Sequence, residues 1–412
     1  MPKKPIIIIG AGPVGLWTAC ECKLRNPADE VIVLERYPTY QRKHTIKLIN
    51  SSLLLYSKTT NSPEKQKLLQ SLLSQASTWS SWRKPLDSHF IRTSHLETSL
   101  KEYATSLGVV IQYTHILSRT HLLRLFPTPE LVICADGAHS KLRTECFGPI
   151  EPTSLQFTLD LRFNLTAQPP YNQDNEPPLR TLQKLLTPTS LPSHFRLCKQ
   201  LKNLVTPHVG KPSADNPHEI PLQCRLFLSP QTHTALQQLL QQPNPLPTGT
   251  GSYKDPLNVP NVLLLLKTAP SPLLQKLQKT ITTLQATWTE NLQSNPETHH
   301  YRLQFAPSTL LTLNIYRTPT PLSTLHTSAG PIPLLFVGDA AFGVPYFRAL
   351  NAGLLLASRL AHIYRGPFTQ KTAFHSVRKH LFLATFWLHW STEKTIALSK
   401  NTALNLLQRI LR

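Results

Sequence analysis

The chain has 412 residues, of which 40% are apolar, enough for two domains with sizeable cores. It carries 43 Lys and Arg against 22 Asp and Glu, and this net charge of +21 favours an anionic partner. The basic residues are dispersed and are not interleaved with aromatic ones, so no nucleic-acid partner is expected. No run of about 18 apolar residues and no long apolar leader is present, so we expect a cytoplasmic protein. Six cysteines without a C-x-x-C pair and 17 histidines without paired spacing predict neither disulfides nor a metal site.

The N-terminal segment PIIIIGAGPVG combines a strand with a glycine-rich turn. The four isoleucines of Ile6–Ile9 indicate a strand that is buried on both faces, and an apolar helix follows the turn. Gly10, Gly12 and Gly15 have G-x-G-x-x-G spacing, which permits a tight turn, close approach of a pyrophosphate and close helix–strand packing. The segment predicts a dinucleotide-binding turn of the Rossmann type, and the alternative is a merely tight β-turn-α connection.

A second strand, EVIVLER, reaches Glu35, which lies 20 residues after Gly15. A carboxylate at this place accepts hydrogen bonds from the hydroxyls of an adenosine ribose and repels a 2′-phosphate. Strand, loop, helix, strand and terminal acid therefore occur in the order that the dinucleotide-binding interpretation requires.

A second glycine motif, DGAHSKLR, follows a predicted strand over Leu131–Ala135. The strand delivers Asp136 and Gly137 at its carboxyl end, where open α/β sheets bind their ligands. Ser140 and Arg143 follow on a predicted short helical turn. Taken alone, this motif is equally typical of an ordinary Asp-Gly turn.

A third motif, GDAAFGVP, follows a predicted strand over Pro333–Val337. Gly338 permits the chain to turn closely past a ligand, and Asp339 offers an acidic hydrogen-bond acceptor that suits a polyol. A helix is predicted from Leu350, and its N-terminus suits a carbonyl oxygen that takes on negative charge.

In this order the three motifs resemble those of flavin-dependent monooxygenases of the para-hydroxybenzoate hydroxylase type. The segment ERYPTYQRKHTIKL also resembles the corresponding segment of MICAL-type flavoprotein monooxygenases. The resemblance implies an FAD-dependent enzyme that uses NADH or NADPH and inserts one oxygen atom from O2 into a small organic substrate. It implies further that Asp339 contacts the FAD ribityl chain, that Asp136 and Gly137 serve both FAD and the nicotinamide cofactor, and that Pro345 lies beside the isoalloxazine ring. The basic charge balance favours an anionic substrate, and an aromatic one is also compatible with the resemblance.

The chain departs from the family pattern after the third motif. Where family members have a Gly-x-Gly before the helix, this chain is one residue shorter and has Arg348-Ala349-Leu350. Arg348 is predicted to face the flavin's pyrimidine edge, and the alternative is a solvent-facing side chain. The departure leaves open an FAD-binding protein or an NAD(P)H oxidase or reductase without hydroxylation, or an effector-like binding protein. The predicted catalytic residues are Pro345 and Arg348. The predicted cofactor-binding residues are Gly10, Gly12, Pro13, Val14, Gly15, Glu35, Arg36, Arg42, Arg92, Asp136, Gly137, Gly338, Asp339 and Asn351.

The sequence predicts an α/β fold with a Rossmann-like FAD-binding domain, an inserted, mostly β-sheet substrate domain and C-terminal helices. The predicted parts are 1–150 and 333–368 for the FAD-binding domain, 151–332 for the substrate domain and 369–412 for a helical cap. In the substrate domain, strands are predicted at SLQFTLDLRFNL, LQCRLFL, NVLLLL and HHYRLQF, and helices at 231–242 and 271–293. The basic, aromatic-rich tail is predicted to pack on the FAD-binding domain, and contact with a membrane surface is the less favoured alternative.

Overall fold

The structure is a computed structural model. It describes residues 4–39, 45–49, 51–54, 63, 67–68, 70–72, 88–167, 179–186, 208–210, 219–241, 258–259, 262–267, 269, 271–344, 348–363 and 373–410. The chain forms two compact units. The first comprises Met1–Thr153 and Asn314–Lys400, and the second comprises Ser154–Leu313 and Asn401–Arg412.

The N-terminal part of the chain alternates strands and helices. The strands are β1 (Ile6–Ile9), β2 (Val31–Glu35), β3 (Thr45–Ile49), β4 (Ser88–Arg92), β5 (Val110–Tyr113) and β6 (Leu131–Cys134). The helices are α1 (Pro13–Arg25), α2 (Ser51–Leu54), α3 (Thr93–Ser106), α4 (Arg119–Leu125) and α5 (Lys141–Phe147).

The middle part has longer strands, and the C-terminal part ends in two helices. The middle elements are β7 (Thr153–Ala167), α6 (Leu179–Leu186), β8 (His208–Val209), β9 (Glu219–Leu228), α7 (Pro230–Gln241), β10 (Asn258–Val259), α8 (Val262–Lys267), α9 (Pro272–Gln293) and β11 (Tyr301–Arg317). The last elements are β12 (Leu322–Thr327), β13 (Gly330–Phe336), a 3-10 turn (Gly338–Ala340), β14 (Phe342–Gly343), α10 (Arg348–Ile363) and α11 (Ala373–Ile410).

The first unit is built on a sheet with the strand order β12-β13-β6-β1-β2-β5. Its pairs are parallel except for β12 with β13. The four isoleucines of β1 are almost completely buried, as a central strand covered on both faces requires. The chain order reverses at β1, since β2 pairs on one side of it and β6 on the other. The predicted Rossmann-like α/β fold is therefore confirmed.

The second unit contains an antiparallel sheet with the order β10-β11-β7-β9-β8. Strand β9 alternates between half-buried and buried residues along its whole length, which is typical of a sheet with one face on a core. That core includes Leu161 and Phe163 from β7 and Trp288 from α9, whose ring lies edge-on to Phe163 with 5.4 Å between centroids. The separate β-sheet region and the helices predicted at 231–242 and 271–293 are confirmed.

One element of the second unit was wrongly predicted. The run NVLLLL forms helix α8 and not a strand. Its buried residues Val262, Leu265 and Leu266 have i, i+3, i+4 spacing, which places them on one face of a helix. Periodicity alone does not distinguish a short apolar run in a strand from one in a buried helix.

The C-terminal tail is helical, as predicted. Within the first unit, Phe386 of α11 contacts Phe342 of β14, with 5.6 Å between ring centroids. The guanidinium of Arg317 lies 4.2 Å from the ring centroid of Trp387 and 4.4 Å from that of Trp390. These cation–π contacts attach α11 to the end of β11. No helix in the described part of the chain is long and apolar enough to cross a membrane. The domain boundaries predicted at 150, 332 and 368 remain a prediction, because each domain was defined by the ligand that it is expected to bind.

A buried hydrogen-bond network joins the first helix of the chain to α10. Trp17 Nε1 donates to Ser358 Oγ at 2.8 Å, and this hydroxyl donates to Glu21 Oε1 at 3.1 Å. Arg25 lies 3.5 Å from the other Glu21 oxygen. Since the residues of this network are buried, each polar group in it depends on its partner.

We expect Ser358→Ala to destabilise the protein by about 1–3 kcal/mol, because it leaves the buried Trp17 Nε1 without its acceptor. Chemical denaturation of the purified protein measures this loss. The control is Ser391→Ala, at an exposed position of helix α11, where the change should be within about 0.5 kcal/mol. Equal stability of the two variants would contradict the assigned role of Ser358.

Candidate cofactor-binding site

The three glycine motifs meet at one edge of the parallel sheet. Because β13, β6, β1 and β2 are adjacent and parallel, their carboxyl ends lie side by side. Gly338 follows β13, Asp136 follows β6, Gly10 follows β1 and Glu35 ends β2. This edge, at the point where the chain order reverses, is where open α/β sheets bind ligands.

Gly10 brings the first motif against the second. Its φ is +101°, and a Cβ at this position would lie 2.7 Å from the Ala135 carbonyl oxygen and 2.8 Å from the Asp136 Cα. A Cβ on Gly15 would lie 1.9 Å from the Gly10 carbonyl oxygen. Both positions therefore require glycine for the fold itself.

Gly12 and Gly137, in contrast to Gly10 and Gly15, have open space where a Cβ would lie. None of the described atoms lies within 4 Å of a Cβ built on either residue. Gly12 directly precedes α1, whose first residue is Pro13, so the space beside it lies at the N-terminus of a 13-residue helix. Free backbone N–H groups and the helix dipole make such a place suited to a phosphate.

The third motif contacts the first through Val14. A Cβ on Gly338, whose φ is +57°, would lie 3.1 Å from Val14 Cγ1. A Cβ on Gly353 in α10 would lie 2.9 Å from Val14 Cγ2. The absence of side chains at these two glycines therefore allows α1, the G-D turn and α10 to pack together.

Two residues fix the backbone of the G-D turn. The Asp339 carbonyl accepts hydrogen bonds from Arg143 Nη1 at 3.1 Å and from the Tyr316 hydroxyl at 2.9 Å. Arg143 also donates to the Ala138 carbonyl, and its guanidinium lies 5.2 Å from the Tyr316 ring centroid. Arg143 therefore links the D-G motif to the G-D motif. Tyr316 was not predicted as a site residue, since nothing in the sequence pairs it with a turn 23 positions later.

Asp136 has a carboxylate oxygen that lacks a partner. Its Oδ1 is inaccessible to solvent and has no hydrogen-bond partner among the described residues. Burial raises the pKa of Asp136 to about 6, although a hydrogen bond from Ser140 opposes this shift. At neutral pH the group is thus ionised and incompletely satisfied, which suits a ligand that donates a hydrogen bond to it.

Glu35 connects the end of β2 to the glycine loop. Its Oε2 accepts a hydrogen bond from Ala11 N at 2.6 Å, and its Oε1 accepts one from Tyr37 N at 3.0 Å. A carboxylate has about four acceptor positions, so two remain for the hydroxyls of a ribose. The exposed Arg36 stacks on the Tyr37 ring at 4.7 Å.

The other predicted residues lie in varied places. Arg92 is half-buried at the end of β4, directly before α3. Asn351 is buried in α10, and its Oδ1 accepts from Ile49 N at 2.8 Å and from Ser52 Oγ at 3.1 Å. Arg348 begins α10, but its side chain, like Arg42 and Pro345, lies outside the described residues.

The described residues fit a dinucleotide such as FAD. The fit rests on the open space at Gly12 and Gly137, on the unpartnered Asp136 oxygen and on the free acceptor positions of Glu35. Among the described residues, no group of three or more His, Cys, Asp or Glu is placed to hold a metal ion.

Comparison with known proteins found similar solved structures but no match at the level of sequence. No protein-family model and no curated protein matches the sequence. The solved structure of CtdE in complex with FAD has a TM-score of 0.53 at 14% identity, with 99% of each chain covered. CtdE with FAD and substrate 4 has a TM-score of 0.54 at 14% identity, covering 95% of this chain and 88% of that one. CabE, an aromatic hydroxylase from angucycline biosynthesis, has a TM-score of 0.47 at 14% identity, covering 100% and 73%.

The chain therefore has the fold of CtdE, a protein whose solved structures contain FAD. This shared fold agrees with the resemblance of the three motifs to flavoprotein monooxygenases of the para-hydroxybenzoate hydroxylase type.

We expect Gly15→Ala and Gly12→Ala to differ sharply in stability. The Gly15 variant places a methyl group against the Gly10 carbonyl and should lose ~3 kcal/mol or more. The Gly12 variant meets none of the described atoms and should change the stability by less than ~0.5 kcal/mol. Thermal and chemical denaturation without added ligand measure both. Comparable losses in the two variants would show that the loop is packed differently.

Proposed function

We propose that the protein is an FAD-dependent monooxygenase that uses NADPH or NADH as the reductant. The observation that carries the proposal is the convergence of three distant motifs at one edge of the parallel sheet, through the contacts of Gly10 with Asp136 and of Val14 with Gly338. The FAD-complexed CtdE structures, which share the fold, support the choice of cofactor.

Each motif has a separate part in holding FAD. The N-terminus of α1 at Gly12 binds the pyrophosphate, and Glu35 accepts hydrogen bonds from the adenosine ribose. Asp339 accepts from the ribityl chain, since Arg143 and Tyr316 fix its backbone and thereby the direction of its side chain. Asp136 and Gly137 serve FAD and the nicotinamide cofactor.

Bound FAD would supply the redox chemistry of a monooxygenase, in which the nicotinamide provides the electrons, one oxygen atom of O2 enters the substrate and the other leaves as water. The chain contributes positioning and electrostatics. The N-terminal backbone N–H groups of α10 stabilise negative charge on a carbonyl oxygen placed before them. We further propose that Pro345 lies beside the isoalloxazine ring and that Arg348 adds a positive charge near its pyrimidine edge.

The substrate is proposed to be a small molecule, anionic or aromatic, that binds at the β-sheet of the second unit. CtdE was solved with a substrate bound, which supports a small-molecule ligand for this fold. In the second unit, Asp160 is buried, paired with Arg225 through two hydrogen bonds of 2.6 Å and contacted by Gln223. Burial lowers the pKa of neighbouring Arg162, and the negative charge of Asp160 opposes this shift. We propose that the protein acts in the cytoplasm.

We expect purified protein to bind FAD, and Gly12→Val and Asp339→Ala each to weaken that binding by about 10–100-fold. The valine side chain fills the space of the pyrophosphate, and the alanine removes charged hydrogen bonds worth about 1.5–3 kcal/mol. Titration with FAD, followed by flavin absorbance and fluorescence, measures the dissociation constants, with Ser391→Ala as the control. A well-folded wild-type protein that binds no FAD would overturn the proposed function.

A second experiment separates hydroxylation from the alternatives. We expect the FAD-loaded protein to oxidise NADPH or NADH faster when a suitable phenol or aromatic acid is present, with one oxygenated product formed per nicotinamide consumed. Product analysis by mass spectrometry and a peroxide assay measure this ratio. Oxidation that yields only peroxide would identify an oxidase, and FAD binding without any oxidation would identify a binding protein.

A further inference from the structure

A cluster of polar side chains lies beyond Glu35, at the neighbouring strand ends. Glu35 of β2 is the register partner of Tyr113 at the end of β5. The Tyr113 hydroxyl accepts a hydrogen bond from Lys101 Nζ of α3 at 2.6 Å, and this ammonium lies 5.2 Å from the Tyr113 ring centroid. Glu97 precedes Lys101 by four residues, so both side chains are on the same face of α3. That face is therefore directed to the carboxyl ends of β2 and β5.

Glu97 is a buried acid on the same helix as Lys101. The residue is only 9% exposed, and its Oε2 is inaccessible and has no hydrogen-bond partner among the described residues. Burial raises the pKa of Glu97 to about 8, the negative charge of Glu35 adds to the rise, and Lys101 opposes it. At neutral pH the carboxyl group is consequently protonated, and it can donate a hydrogen bond.

The charged side chains of the neighbouring helix α1 are engaged elsewhere. On α1, which packs against α3, Glu21 pairs with Arg25, and Lys23 donates to the backbone carbonyls of Pro27 and Asp29. Arg92 stands at the start of α3, on the side of β4. Glu35 is thus the acid that acts on Glu97.

We propose that Glu97 is a second acidic residue of the adenosine site, and that this site holds FAD while the Glu97 carboxyl group keeps its proton. This inference rests on the proposed FAD site. With one proton, the pair offers both an acceptor and a donor to the ribose hydroxyls and carries a single negative charge. When the proton is lost, two adjacent carboxylates repel each other and the FAD diphosphate, and binding weakens.

The dissociation constant of FAD, measured by flavin fluorescence between pH 6 and pH 9, tests the inference. We expect the constant of the wild-type protein to be nearly level up to about pH 7.5 and to be about tenfold higher at pH 9 than at pH 6. Glu97→Gln mimics the protonated acid, so it should bind FAD as wild type at pH 6.5 and keep that affinity at pH 9. The exposed Glu102→Gln on the same helix is the control and should retain the wild-type pH dependence.

Stability without FAD provides a second readout. Because the pKa of Glu97 is higher in the folded protein than its ordinary value of 4.5, the folded state binds more protons, and stability should fall as the pH rises from about 4.5 to about 8. The Glu97→Gln variant should show a smaller fall than wild type, and Glu102→Gln should not. FAD binding that is independent of pH, or that keeps its pH dependence in Glu97→Gln, would overturn the inference alone. Absence of FAD binding at every pH would instead overturn the proposed function.

Discussion

The candidate site depends on the closeness of two backbone segments, the turn after β1 and the end of β6. The Gly10 position has room for a hydrogen only, since a methyl group would lie within 3 Å of both Ala135 and Asp136. Gly15 meets the same turn from the helix side. Because no side chain separates these segments, the N-terminus of α1 and the Asp136 carboxylate occupy the same edge of the sheet. A larger residue at either glycine would separate the N-terminus of α1 from the Asp136 carboxylate.

The site is also assembled from opposite ends of the chain. Val14 of α1 packs against Gly338 and Gly353, and the Trp17–Ser358–Glu21 network joins the same two helices. Arg143 and Tyr316 then hold the G-D turn from two other elements. The unit that carries the predicted FAD contacts is therefore formed by segments that the β-sheet unit separates in sequence, and neither segment contains the whole site.

The sequence predicted those parts of the site in which the backbone itself is constrained. A backbone position without space for a Cβ requires glycine, so it can be recognised in the sequence. A strand that is buried on both faces can likewise be recognised, as a run of isoleucines. Contacts between side chains distant in sequence were not predictable in this way, as Tyr316 shows. Glu97 did leave a signal, since it interrupts the buried face formed by Thr93, Leu100 and Ala104, but one charge on a helix is more often solvated. The strand predicted at NVLLLL was wrong because a run of this length suits either a strand or a helical turn.

The network between Trp17 and Ser358 has a consequence for the synthesis of the chain. Trp17 and Ser358 are 341 residues apart in the sequence. The buried face of the first helix therefore has no partner from α10 until most of the polypeptide has been made. At about 5–20 residues per second, translation of the intervening segment takes roughly 17–70 s. Throughout that time Trp17 and the apolar face around it are open to other proteins, so a nascent chain of this fold has a long interval in which chaperones or unwanted partners can bind its N-terminus.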